Sequence, residues 1–332
     1  MRVAVTGSIA TDHLMTFPGR FVDSLLVQDL GRLSVSFLVD DLVVRRGGIA
    51  ANICYGMGLL GEHPVLVGSV GNDFADYRSW LERHGVDTVS VHVSTLAHTA
   101  RFLCTTDADH NQIASFYTGA MAEARDIELA PVAARLGGLD LVVVSPNDPD
   151  AMLRHSEECR ASGIPFAADP SQQLARMEGV DIRALVEGAS YLFTNEYESS
   201  LLAEKTGWTP DDLLERVGVW VTTLGPRGSR LTTRGEPPVT LPAAPEARKA
   251  DPTGVGDAFR AGFVTGVAWG LALPRAAEVG SLVATYALET VGPQEYRFDH
   301  PGFLSRFAAA YGEEAASDLR PHLLAGAAGP RG

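Results

Sequence analysis

The chain has 332 residues, 45% hydrophobic and 20% charged, with a formal net charge of −14. That is a globular composition, long enough for one large α/β domain with a small appendage. The acidic balance argues against nucleic acid or anionic membrane as partners, so any polyphosphate would have to be met by local positive potential from backbone N–H groups, a helix N-terminus or a metal.

The opening RVAVTGS (2–8) is a short β-branched run ending in a glycine turn, the pattern of a buried strand feeding a loop. It is too short for a signal peptide and is soon interrupted by Asp12 and His13. Similar runs follow at 64–70, 139–145, 165–170, 191–195 and 219–225. Between them lie the helical patterns Asn52 to Leu60, Asp73 to His84, Asp150 to Ser162, Ile182 to Gly188, Glu196 to Thr206 and Pro210 to Arg216. Strands that are apolar throughout and alternate with helices predict a parallel sheet covered on both faces. Residues 33–39, 100–106 and 112–118 instead alternate apolar and polar, the last two joined by the turn-rich DADHN. They predict a small β lid at 14–40 and 98–119, inserted twice into a large domain of 1–13, 41–97 and 120–332. The tail after Leu324 has nothing to bury and is expected to fray. Three scattered cysteines (Cys54, Cys104 and Cys159) without a CxxC pair suit free thiols in a reducing cytoplasm. No run of about 18 apolar residues suggests a membrane span.

The segment DPTGVGDAFRAGFVTGVAWGL begins at Asp251. Gly254 and Gly256 permit a tight turn. Ala258, Gly262, Gly266 and Gly270 then recur every four residues, predicting a helix whose small-residue stripe packs closely on a neighbour. A glycine loop opening a helix aims several free N–H groups at one point, with the helix dipole adding to the field. This is the anion hole that an acidic protein needs. Asp257 stands at its mouth, where simple helix capping is the plain alternative. The loop lacks a P-loop lysine, and Phe259 falls where a dinucleotide-binding loop needs Gly or Ala.

Together with the stretch Arg46-Gly47-Gly48-Ile49-Ala50-Ala51-Asn52, GLLG (58–61) and VGSVGNDFADY (67–77), the segment DPTGVGDAF resembles the paired signatures of the ribokinase-like (pfkB) carbohydrate kinase family. Within the family, VTGSIATDHL, SFLVDDLVVRRGG, HTARF, QIASFY, AADPSQQLAR and TLGPRG resemble the actinobacterial type of adenosine kinase. The resemblance implies the ribokinase-like α/β fold and phosphoryl transfer from ATP to an alcohol. It also implies Mg2+ and, as in many relatives, a monovalent cation such as K+ beside the anion hole. Pro252 and Val255 replace residues that are often Thr and Ala in relatives, but Pro252 precedes the loop's donors.

By the same resemblance, Asp257 removes the proton of the attacking hydroxyl while the N–H groups of Gly254, Val255 and Gly256 stabilise the transferred group. Beside a helix N-terminus Asp257 is expected to titrate low. Asp12, at the C-terminal end of the first strand, is expected to hold sugar hydroxyls; a turn-forming Asp is its bland reading. Gly48 and Asn52 match the sugar-contacting glycine and asparagine of the family, against a routine helix start. Ser8 and Ser36 are further candidate contacts. Asn195 and Glu198 match the N-x-x-E motif that holds magnesium largely through water, against an ordinary helix start. Thr223, Gly225 and Gly228 resemble a nucleotide-binding turn, with Arg227 toward phosphate, against an ordinary hairpin.

Substrate choice is expected in the lid. Phe102 and Phe116 occupy adjacent predicted strands and could sandwich a purine, unless they only pack lid on body. Gln172 and Gln173 follow the strand at 165–170 and could reach either substrate, with Arg176 near phosphate. The sequence therefore predicts adenosine kinase, making AMP and ADP from adenosine and ATP in purine salvage, with a homodimer through the lid sheets. The alternatives are a ribose, fructose or other nucleoside kinase, or a nucleoside-binding protein without catalysis. The last would have lost Asp257 or the glycines, which are intact.

Overall fold

The structure is a computed structural model and describes residues 1–24 and 36–324. In chain order the elements are β1 (Val3–Thr6), β2 (Ala10–Thr16), α1 (Phe21–Ser24), β3 (Asp41–Gly47), α2 (Ile49–Leu59), β4 (Val65–Val70), α3 (Ala75–Arg83), β5 (Val91–Val93), β6 (Ala100–Thr106) and β7 (Gln112–Tyr117). There follow α4 (Leu129–Leu136), β8 (Leu141–Val144), α5 (Pro149–Ser162), β9 (Phe166–Ala168), α6 (Gly179–Val186), β10 (Tyr191–Asn195), α7 (Glu196–Thr206), α8 (Pro210–Leu214) and β11 (Val219–Thr223). The chain closes with β12 (Ser229–Thr233), β13 (Val239–Leu241), α9 (Val255–Ala268), α10 (Leu273–Leu288), α11 (His300–Tyr311) and α12 (Glu313–Leu324).

Among the described residues nine strands form one sheet, in the order β13-β12-β11-β10-β9-β8-β1-β4-β5. It is parallel from β11 to β5, and the hairpin strands β12 and β13 extend it antiparallel. Alternate residues of one strand enter different cores. Val3 and Val5 of β1 pack with Ile53, Phe259 and Phe263 of α2 and α9, while Ala4 packs with Met152 and Leu185 of α5 and α6. Two helical layers therefore cover the sheet, which is why its strands read as unbroken apolar runs. This is the ribokinase-like α/β fold. No helix among the described residues is long and apolar enough to cross a membrane.

A second sheet, β3-β2-β6-β7, rises from the C-terminal edge of the first, because only Gly7, Ser8 and Ile9 separate β1 from β2. Its strands at 10–16 and 41–47 flank the segment expected to supply the lid at 14–40. Residues 36–39 carry no strand, and 33–35, like the tail after Leu324, lie outside the described residues. β2 was illegible because Asp12 and His13 break the apolar run.

α9 packs against α2 and α10 as the small-residue stripe predicts. A Cβ on Gly262 would lie 2.6 Å from the Gly280 Cα of α10, and one on Gly266 would lie 2.6 Å from the Ala276 Cα. Gly270 is not part of this contact; it follows the helix in a left-handed conformation, φ 74°. Gly262→Val should therefore force α9 from α10 and destabilise the protein by roughly 2 kcal/mol. Urea unfolding reads this directly, and an unchanged midpoint would contradict the close packing.

Candidate active site

The parallel strands end along one edge of the sheet, and the candidate residues gather there. Ser8 follows β1, Pro146 follows β8, Asp169 follows β9, Asn195 ends β10 and Thr223 ends β11. Ligands of open α/β sheets bind at this edge. Two cavities open on it.

The first, about 310 Å³, is lined by Ser8, Asp12, Gly48, Phe102, Phe116, Gln172, Gln173 and Arg176 among others. Asp12 lies on β2, not beyond β1 as the sequence suggested. Strand register places Arg45 of β3, Asp12, Phe102 of β6 and Phe116 of β7 in one row across the small sheet. The two rings are thus side by side on one face rather than opposed as a sandwich, and Phe116 is 48% exposed. Burial pushes Asp12 up to about 6; Arg45 opposes that shift and Asp251 adds to it. Gly48 has φ 91°, and a Cβ there would lie 2.6 Å from the backbone of Ser8, Ile9 and Ala10. Only glycine fits that contact. Ser8 Oγ accepts from the Ile49 N–H at 3.0 Å, holding the start of α2. Gln173 Nε2 donates to the Asn147 carbonyl at 2.6 Å. Ser36 is exposed and lines neither cavity.

The second cavity, about 340 Å³, is mostly apolar and is lined by Thr223, Gly225, Gly228, Val255, Gly256 and Phe259, with Ala284 and Leu288 of α10. Arg227 turns away from it: its guanidinium is exposed and pairs with Glu196 at 2.5 Å. The loop before α9 stands at the cavity's edge. Gly254 caps the helix with φ 76°, and a Cβ there would meet the Pro293 Cβ at 2.6 Å. At the base of this loop the Asp251 carboxylate accepts from the N–H groups of Thr253 (2.9 Å) and Gly292 (3.0 Å), and Arg45 Nη1 donates to the Val291 carbonyl at 3.1 Å.

Asp257, in the first turn of α9, accepts from Asn52 Nδ2 at 2.8 Å. This bond joins the helix that begins beside the first cavity to the helix that begins beside the second. Burial pushes Asp257 up to about 6, with Glu198 adding to the rise and Arg260 and Asn52 opposing it. The expectation of a low titration was therefore wrong. Burial outweighs the favourable field of the helix N-terminus, and among the described residues the side-chain bond to Asp257 comes from Asn52.

Asn195 and Glu198 form a reciprocal capping box, each side chain accepting from the other's N–H at 2.8 Å. Ser171 Oγ also donates to Glu198 Oε1 at 3.3 Å. Among the described residues no three His, Cys, Asp or Glu side chains are grouped to hold a metal. This donor set fits only a cation carried mainly by phosphate oxygens and water.

Sequence reasoning missed an ion pair beneath the site. Arg260, one turn after Asp257, donates from Nη2 to Asp169 Oδ1 at 2.6 Å with its Nε 2.5 Å from Oδ2 as an ion pair, and Asp169 is 0% exposed. Burial raises Asp169 while Arg260 opposes that rise. An Asp closing a strand and an Arg within an apolar helix were the available signal. Asp169→Asn would leave the guanidinium buried without its counter-charge and should cost about 3 kcal/mol in urea unfolding. A loss under about 1 kcal/mol would mean that the pair is not fully ionised.

A Gly-rich anion loop at a helix N-terminus, a carboxylate in the next turn and paired cavities at the C-terminal edge of a parallel sheet define a phosphotransferase of the ribokinase-like class. The chain belongs to the pfkB family of carbohydrate kinases, whose model matches residues 7–298. It is similar to a nucleoside kinase of Methanothermobacter thermautotrophicus, with 32% identity over 271 residues, 81% of this chain and 86% of that protein. The fold superposes on Burkholderia thailandensis nucleoside kinase in its ligand-free form with a TM-score of 0.83 and 34% identity, over 92% of this chain and 99% of that one. The same Burkholderia protein in complex with inosine gives a TM-score of 0.80 at 33% identity, over 93% and 98% of the two chains.

Proposed function

We propose that this kinase transfers the γ-phosphoryl group of ATP to the 5′-hydroxyl of adenosine, giving AMP and ADP in cytoplasmic purine salvage. The observation that carries the substrate reading is the row Asp12–Phe102–Phe116 on one face of the small sheet, lining one cavity. It offers a carboxylate for ribose hydroxyls beside two rings for a planar base, whereas a bare sugar would leave the rings without a partner. Ser8, Gly48, Gln172, Gln173 and Arg176 border the same space. ATP would lie in the apolar cavity by Thr223, Gly225 and Gly228, its phosphates toward the N–H groups of Gly254, Val255 and Gly256. Magnesium, held by phosphate and water near Asn195 and Glu198, would neutralise charge on those phosphates. A monovalent cation such as K+ would belong beside Asp251. Exposed Leu42, Val44 and Ile113 on the edge strands β3 and β7 support pairing of two copies through the small sheets.

Asp257 acts as the base in this reading, and its elevation to about 6 suits the role. The ionised form accepts the hydroxyl proton, so activity should be full above about pH 7 and fall as the pH drops through about 6. Asp257→Asn should lower turnover by about 10³-fold or more at every pH, with nucleoside affinity near normal. Steady-state rates against pH and nucleoside titrations check this, and a loss under about tenfold would remove Asp257 as the base.

A second reading, a kinase accepting several nucleosides, is favoured by the similarity to the Burkholderia protein solved with inosine. ADP release with ATP and magnesium, run across adenosine, guanosine, inosine, ribose and fructose, separates the two. Preference for adenosine, weakened at least roughly tenfold in KM by Phe102→Ala with little change for ATP, is the expected result. Equal turnover of inosine supports the broader reading, and preference for a free sugar overturns both.

A further inference from the structure

Behind Asn52 runs a chain of buried hydrogen bonds that the proposed chemistry has not yet used. Asn52 Oδ1 accepts from Gln294 Nε2 at 2.9 Å, and Gln294 Oε1 accepts from the Trp80 indole N–H at 3.1 Å. Gln294 Nε2 also donates to the Tyr77 hydroxyl at 2.5 Å, which in turn donates to the Gly47 carbonyl at 2.8 Å. Gln294 is 1% exposed and Tyr77 is 4% exposed. Neither residue lines either cavity.

The direction of every bond in this chain is forced. An indole nitrogen can only donate, so it must meet the oxygen of the Gln294 amide. The Tyr77 proton is committed to Gly47, so its oxygen must accept, which again calls for the Gln294 NH2 group. With two independent partners setting its orientation, Gln294 presents N–H to Asn52 and takes the Asn52 oxygen. The Asn52 NH2 group is then left to face Asp257. The Trp80 ring is held in turn by Arg46, 4.4 Å above its centroid, and by Arg297 at 5.5 Å.

We infer that Trp80 and Gln294 are positioning residues that set the polarity of the Asn52 amide, so that an N–H and not a carbonyl oxygen faces the Asp257 carboxylate. The consequence is local. The donated bond occupies Asp257 Oδ2, leaving the other oxygen for a substrate hydroxyl, and it favours the ionised carboxylate. A reversed amide would set a lone pair against a carboxylate. The remaining groups acting on Asp257 are Arg260 on its own helix, Glu198 on α7, Asp169 after β9 and Tyr296. These are unchanged in Gln294→Met and Trp80→Phe, so a shift in those two variants reads the amide chain, whereas Gln294→Glu also adds a charge of its own.

This inference rests on Asp257 as the base, and the experiment keeps the two ideas apart. Single-turnover phosphoryl transfer would be followed from pH 5 to 9 for Gln294→Met, Gln294→Glu, Trp80→Phe and Asp257→Asn, with thermal melts of each. Gln294→Met removes the relay at similar volume. Gln294→Glu keeps an acceptor for Trp80 but cannot donate to Asn52, so it favours the reversed amide. Trp80→Phe keeps an aromatic ring beside the arginines and removes the indole N–H, which covers the case in which Gln294 variants fold poorly. The acid limb should move up by about one pH unit in Gln294→Glu and by less, in the same direction, in the other two. The rate should then fall roughly fivefold at pH 6 and stay within about twofold at pH 8.5. An equal loss at both pH values, or an unmoved limb in folded Gln294→Met and Trp80→Phe, would overturn the relay. Retained turnover in Asp257→Asn would instead overturn the base itself.

Discussion

The site depends on one helix being held in place from several sides. α9 carries the glycine loop at its start, Asp257 in its first turn and Arg260 in its second, so its axis decides where the N–H groups, the carboxylate and the buried guanidinium all point. It can lie where it does because glycine removes side chains at its contacts: Gly262 and Gly266 against α10, and Gly56 of α2, whose Cβ would lie 2.6 Å from the Ala261 Cβ. Its own apolar residues, Phe259 and Phe263, fill the core beneath the sheet. The helix is thus anchored by packing while its N-terminus is left to the ligand, which is the arrangement that an N–H anion site requires.

Electrostatics at this edge are a balance of unlike demands. A chain with net charge −14 gathers Asp12, Asp169, Glu198 and Asp257 around the place where it would hold polyphosphate. Two arginines offset them. Arg260 is locked to Asp169 under the floor, and Arg45 reaches from the small sheet to the Val291 carbonyl beside the anion loop. Asp12 and Asp257 are both lifted to about 6 by burial, so each remains ionised near neutrality while being easily protonated below it. The small sheet thereby contributes more than a cover. Its row from Arg45 to Phe116 ties the charge at the loop to the walls of the first cavity.

Much of this was legible from local pattern. The parallel strands announced themselves as unbroken apolar runs because both faces are buried, and α7 matches its predicted bounds because Asn195 and Gly207 cap it on either side. The glycine loop and its helix were equally plain, since tight turns and close packing both restrict residue choice. Other features are not carried by local pattern. β2 turns Asp12 to the cavity and His13 to the opposite face, so it lacks the unbroken apolar run of the large sheet's strands. Arg227 sits in a glycine turn, and in the fold its exposed guanidinium pairs with Glu196 at the start of α7. Ser36, a further candidate contact, is exposed in the fold.

The sequence alone determined the α/β class, the glycine turn that opens α9 with Asp257 as the candidate carboxylate beside it, and the aromatic character of the small sheet, because each rests on residues adjacent in the chain or on their period. Tertiary structure decided what those residues meet. It paired Asn52 with Asp257, Gln294 with Trp80 and Asp169 with Arg260, and it set Phe102 beside Phe116 in one register. It also reversed the expected titration of Asp257. Hydrogen-bond partners and burial depend on which distant segments the packing brings together, and no local period carries that information.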